Sequence, residues 1–195
     1  MLRYFLPLAI LTALPSASKA QDLMILEYPI AIPVGDLNSY INEPSFRGFN
    51  LGYRHMIDGT RAVGMDMGWQ TFYEHVDRGT YQDDNQALTG EQYRYTNAFT
   101  ASVQIDQIFR EGQDIRPYIG VGIGTIYARR TLDVGLYRLE RDPWQFLVQP
   151  EVGVSFYLAN GNALLLSANY YAGFKSKELE GQSFLAMSIG YAFGD

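Results

Sequence analysis

The sequence contains no cysteine. That excludes a disulfide framework, a thiol nucleophile, a thiolate metal site and a lipidated N-terminal cysteine. Charge is scarce too: 18% of residues are Asp, Glu, Lys or Arg, against about 25% in an average soluble domain. No apolar run after residue 20 is long enough to cross a bilayer as a helix, and the mean hydropathy is only −0.13. Positive charge is in deficit, with a formal net charge of −6. Such a chain lacks the clustered Lys and Arg that phosphate backbones require, so nucleic acid is excluded as a partner. What is plentiful is Tyr (15), Phe (11) and Gly (19), spread over 195 residues, a length that suits one domain.

Residues 1–20 have the form of a signal peptide. Arg3 gives a positive start, Tyr4 to Leu14 an apolar core, and Ser18-Lys19-Ala20 a small-residue cleavage site. Cleavage is expected after Ala20, leaving Gln21 first. The alternative, a membrane anchor, is disfavoured because the stretch is short and Pro7 and Pro15 interrupt it. Losing Arg3 and Lys19 takes the net charge from −6 to −8.

From residue 23 onward the signal is alternation, the mark of strands with two distinct faces. Phe146, Val148, Val152, Val154 and Phe156 lie on one face, and Gln145, Gln149, Glu151, Gly153 and Ser155 on the other. Leu164, Leu166, Ala168 and Tyr170 oppose Ser167 and Asn169, and Ile119, Val121 and Ile123 oppose Gly120, Gly122 and Gly124. Similar patterns over 23–34, 45–57, 61–75, 92–109 and the last strand bring the expected number of strands to eight. Pro29 and Pro33 predict lost pairing in the first. Short turns are expected near Asp58-Gly59, Glu111-Gly112 and Asn160-Gly161. Longer polar loops are expected near 35–44, 76–91, 131–143 and 176–182. Short turns on one side and long loops on the other suit a membrane barrel.

Alternation alone also fits a soluble sandwich or a lipocalin-like barrel. Three features favour lipid outside. The polar face is rich in Gly and small residues, as a crowded lumen demands. Aromatic residues gather near strand ends (Tyr73, Tyr127, Trp144 and Phe174 on one side; Phe109, Phe156, Tyr191 and Phe193 on the other). The leader supplies the compartment. The fold class expected is all-β, an eight-stranded antiparallel up-and-down transmembrane β-barrel. Residues 21–195 would form it, with no periplasmic or plug domain attached.

The stretch Arg116 to Gly124, the strand Gln149 to Leu158 and the closing Ser183 to Phe193 carry a resemblance. The chain resembles the small eight-stranded outer-membrane barrels, the family of the OmpA transmembrane domain and OmpX-type proteins. The resemblance implies residence in the cell outer membrane, outer-membrane lipid as surroundings and the outer-membrane assembly machinery as a partner. Members often end on an aromatic read by that machinery; here Gly194 and Asp195 follow Phe193. Members include structural proteins, adhesins, small channels and lipid-modifying enzymes, so fold does not select a role.

By parity Glu27, Arg54, Asp66, Asp106 and Glu151 face the lumen. Unpaired charge in a narrow interior is costly, so Arg54 is expected among the carboxylates, as a network that plugs the lumen. The alternative for that cluster is an ion path. His75, beside Glu74 and Asp77, suits lipid chemistry by position. Yet positions 71, 73 and 77 hold no Ser, and Tyr93 and Tyr95 are its neighbours, so an interfacial role is expected for His75 and for His55. The acidic stretch Asp77 to Asn85 lacks the spacing of a calcium loop. The glycines of 120–124 sit in a strand and are no phosphate loop. No catalytic residue, metal or cofactor is expected. Tyr40, Tyr81, Asp83, Asp84, Arg138 and Arg141 lie on the loops, where surface ligands would bind. The expected role is structural or surface-interactive. The alternatives are a narrow pore and a barrel-embedded enzyme acting on lipid A.

Overall fold

The computed structural model describes residues 22–83, 86–134, 137–159, 161–177 and 179–194. The expected leader, Asp84, Asn85 and Asn160 lie outside them. Its strands are β1 (Asp22–Val34), β2 (Gly48–Met56), β3 (Arg61–Asp83), β4 (Gln86–Ile108), β5 (Ile115–Val134), β6 (Tyr137–Arg141), β7 (Trp144–Tyr157), β8 (Ala163–Gly173) and β9 (Ser183–Gly194). One short helix, α1 (Asp36–Tyr40), follows β1.

Every strand pairing is antiparallel, each with its neighbour in sequence, except that β5 pairs with both β6 and β7. β1 pairs with β9 from Leu23↔Gly194 to Val34↔Ser183, which closes the sheet. Closure matters because hydrocarbon offers backbone groups no hydrogen bond, and a closed ladder leaves no edge. The barrel therefore has eight staves, β1–β5 and β7–β9, with β6 as an outgrowth.

Period two decides which side chain meets lipid. Met65, Met67, Val103, Ile105, Ile123, Val152, Met187 and Ile189 are exposed on the outer wall. Around them runs a row of aromatic rings on neighbouring strands, Phe49–Trp69–Phe99–Tyr127–Trp144. Successive centroids are 6.0, 6.2, 6.5 and 5.1 Å apart. Such a girdle sits where hydrocarbon gives way to headgroups. Tyr191 and Phe193, with centroids 4.7 Å apart, lie at the other end of the wall.

Two expected loops are strands. β3 and β4 run on, paired as far as Asp83↔Gln86, with one register irregularity between Val76 and Gly79. β5 and β6 pair likewise across most of 131–143. Above the aromatic row, β3, β4, β5 and β6 thus make a raised sheet. The ladder from β1 to β2 covers only Asp22–Glu27, stopping before Pro29, and recurs as a single bridge at Ala31↔Ser45. At the opposite end the turn after β2 is fastened by Asp58, whose Oδ1 accepts from the Thr60 and Arg61 amides, each at 2.8 Å.

Candidate functional site

The lumen is filled at two levels. At mid-height the long side chain of Arg54 crosses from β2. Its register partner on β3 is Gly64, which leaves that path open. Nη1 and Nη2 donate to the two Asp66 oxygens at 2.7 and 2.9 Å, a bidentate fork. Nε donates to Asp106 on β4, and Nη2 stands 3.7 Å from Glu151 on β7. Glu151 also accepts from Gln104 at 2.9 Å and from the Tyr118 hydroxyl at 2.7 Å. Glu27 on β1 accepts from Ser167 at 2.9 Å. A second tier joins Ser102 to Gln149 and Gln149 to Asn169, both at 3.1 Å, and Asn50 to the Tyr171 hydroxyl at 3.1 Å. Arg54, Asp66, Asp106 and Glu151 thus lie in one network, drawn from β2, β3, β4 and β7, while Glu27 on β1 is held beside it by Ser167 of β8.

Toward the long loops the filling changes character. Phe72, Ile126, Leu147, Tyr171 and Phe184 point inward and are buried. Leu37 and Ile41, in and after α1, are fully buried among them. The segment after β1 therefore folds into the barrel mouth. Gly35, at φ +58°, makes the bend that turns it inward. Phe72 meets Phe184 edge-on at 5.3 Å, and Tyr171 stacks on Phe184 at 4.4 Å.

Two arginines hold this lid. Arg130 lies over the Tyr40 ring at 4.0 Å and Arg94 at 5.3 Å. Arg94 Nη1 donates to the Tyr40 carbonyl at 2.9 Å, and the Tyr40 hydroxyl to the Thr131 carbonyl at 3.2 Å. Tyr40 is half-buried in the mouth, contrary to its expected place on a surface loop. Gln145 clips the β8–β9 loop over the same opening, donating to the Glu180 carbonyl at 2.8 Å.

The remaining candidates lie apart. His75 stacks on Tyr93 at 4.8 Å, and its Nε2 is 3.8 Å from Glu91. Glu74, its sequence neighbour, instead accepts from the Asn42 amide at 3.4 Å. His55 contacts Asp22 at 2.7 Å, beside the short turns. Arg138 sits on β6, forked onto Asp133 at 2.7 and 3.0 Å, and Arg141 ends that strand. Asp77, Tyr81 and Asp83 belong to β3 rather than to a loop, and Asp84 is outside the described residues.

Alternation placed Gln149 and Asn169 on the polar face, but sequence reasoning did not count them, Gln104 or Tyr118 in the network. Gln104 and Gln149 each stand two residues from a lumen carboxylate, the signal that could have added them. Leu37 and Ile41 had no such signal, being two apolar residues in a short polar connection.

Solved structures share this architecture. The attachment invasion locus protein Ail of Yersinia pestis superposes with a TM-score of 0.53 at 13% identity, covering 90% of this chain and 100% of Ail. The same protein bound to the heparin analogue sucrose octasulfate gives a TM-score of 0.53 at 14% identity, with 90% and 100% covered. Neisserial surface protein A gives 0.54 at 12% identity, covering 90% of this chain and 96% of its own. No protein-family model matches the chain, and no curated protein does. A closed wall, an apolar exterior with its girdle and these neighbours agree: the chain has the fold of the small eight-stranded outer-membrane β-barrels, and its place is the cell outer membrane.

Proposed function

We propose that the protein is a structural or surface-contact barrel that neither conducts nor catalyses, its lumen plugged by its own side chains. The observation that carries this reading is the double closure, with the Arg54 network at mid-height and Leu37, Ile41 and Phe72 above it. An eight-stranded barrel leaves an interior just wide enough for side chains to fill. The raised sheet supports the surface-contact half. It stands beyond the girdle with Arg129 paired to Glu140 at 3.1 Å and Arg138 to Asp133, so it offers charges of both signs to a ligand. His75 engages Glu91 and Tyr93, the company of an interfacial side chain rather than of a general base. Residues 1–20 would direct export, and the assembly machinery would insert the barrel.

One feature favours a second reading, a narrow cation path. Three carboxylates surround a single guanidinium, with Glu27 nearby on Ser167, so anything that crossed would be drawn by negative charge. Potassium efflux from liposomes carrying the purified barrel separates the two. Efflux at the rate of protein-free liposomes is expected, and sustained efflux would replace the plug with a pore. Lipid A from cells with and without the protein should give the same mass spectrum; a new acylation state would revive the enzyme.

A further inference from the structure

β2 begins at Gly48, while its neighbour β3 continues to Asp83. Their last backbone contact is the Thr71 amide donating to the Arg47 carbonyl at 2.8 Å. Beyond it, the β3 edge that faces β2 has no strand partner among the described residues. Backbone groups alternate sides along an antiparallel strand, so the amides of Tyr73 and His75, with their carbonyls, point the same way as those of Thr71. The wall is therefore notched. The notch holds a cavity of about 420 Å³ lined by Phe46, Arg47, Tyr73, His75, Glu43 and Glu74, among others.

Its height is fixed by the aromatic row. Thr71, Tyr73 and His75 follow Trp69 on the same face of β3, at about 3.3 Å per residue. The opening thus starts one step above the hydrocarbon boundary and extends through the headgroup layer. Unpaired backbone donors at that depth must be met by water or by a headgroup.

The chemistry of the lining favours a phosphate. Arg47 is exposed, and its only hydrogen bonds among the described residues are through its backbone. Of the two carboxylates, Glu74 accepts from the Asn42 amide. Glu43 is exposed, where salt screens its repulsion. Phe46, next to Arg47, is 60% exposed and supplies apolar surface beside the charge. We propose that this notch binds the phosphate of an outer-leaflet lipid headgroup. Arg47 is the cation, and the Tyr73 and His75 amides are donors. The proposal rests on the membrane placement alone and stands whether or not the lumen conducts.

Native mass spectrometry of the intact barrel tests it, with micelles containing either phosphorylated lipid A or the same lipid dephosphorylated. The phosphorylated lipid should be retained preferentially, and Arg47→Ala should reduce that preference by about tenfold, the worth of one charge-assisted hydrogen bond. Arg47→Lys should keep much of it. Lys177→Ala, which removes equal charge from the exposed β8–β9 loop, should keep it all. Equal retention of the two lipids would overturn the proposal, as would a preference that survives Arg47→Ala. Displacement of the lipid by inorganic phosphate alone would also overturn it, since the site would then be one for free anions. Heat-modifiable gel mobility shows which variants are folded, and Arg47→Gln replaces the alanine variant if that one is not.

Discussion

Arg130 lies 4.0 Å above the Tyr40 ring, so a residue of the barrel wall pins a residue of the lid. Cation–π contacts away from bulk water contribute about 1–2 kcal/mol, and the ring also packs against buried neighbours. Tyr40→Leu should therefore destabilise the barrel by about 2 kcal/mol. Tyr40→Phe, which keeps the ring and loses one hydroxyl bond, should cost about 1 kcal/mol. Urea unfolding in micelles, followed by tryptophan fluorescence, reads both. Equal losses would mean that the ring face is not what holds the lid.

Arg54 is the only cation in the mid-height network. Its removal leaves Asp66 and Asp106 buried without a counter-charge, the case in which a broken ion pair costs about 3–5 kcal/mol. Arg54→Met should lose that amount in the same unfolding experiment. Asp66→Asn should lose less, because Asp106 and Glu151 still face the guanidinium. A loss for Arg54→Met no larger than that for Asp66→Asn would contradict the network.

Gly120 faces the same cluster. A methyl group there would meet the Asp106 carboxylate and lie 2.9 Å from the Gln104 amide. Gly120→Ala should cost about 1–3 kcal/mol through overpacking. Gly120→Ala in an Asp106→Ala background should cost clearly less, since the obstacle is gone. Unchanged cost in the double variant would place the strain elsewhere.

The Asp58 turn gives a pH signature outside the membrane. Hydrogen bonds from the Thr60 amide and hydroxyl, then from Arg61, hold its carboxyl below the usual range. A depressed folded-state pKa means that the charged form stabilises the fold. The contribution is whole above the ordinary value of about 4 and fades as pH falls through the lower folded-state value. Asp58→Asn should thus unfold at lower urea than the parent at neutral pH, and the gap should close in strong acid. A gap that widens on acidification would reverse the sign.

Much of this was legible in the chain, and the failures have physical causes. The run from Phe146 to Phe156 alternates because lipid wets one face and the lumen the other. Beyond the girdle no hydrocarbon sets one face apart, so although Leu132 and Val134 are buried the alternation weakens, and the strands there read as loops. Phe72, Ile126, Leu147 and Phe184 were obscured for the opposite reason, since both faces are apolar there. Parity alone assigned Arg54 and the four carboxylates to the lumen. Which of them touch depends on strand register and on the space opposite Gly64, which no single strand reveals.

Single-channel recording in planar bilayers tests the closed lumen most directly. The parent barrel should give no steady conductance, and a variant carrying Arg54→Met with Leu37 and Ile41 both changed to Ala should show openings that the parent lacks. A steady, large conductance step from the parent itself would contradict the account.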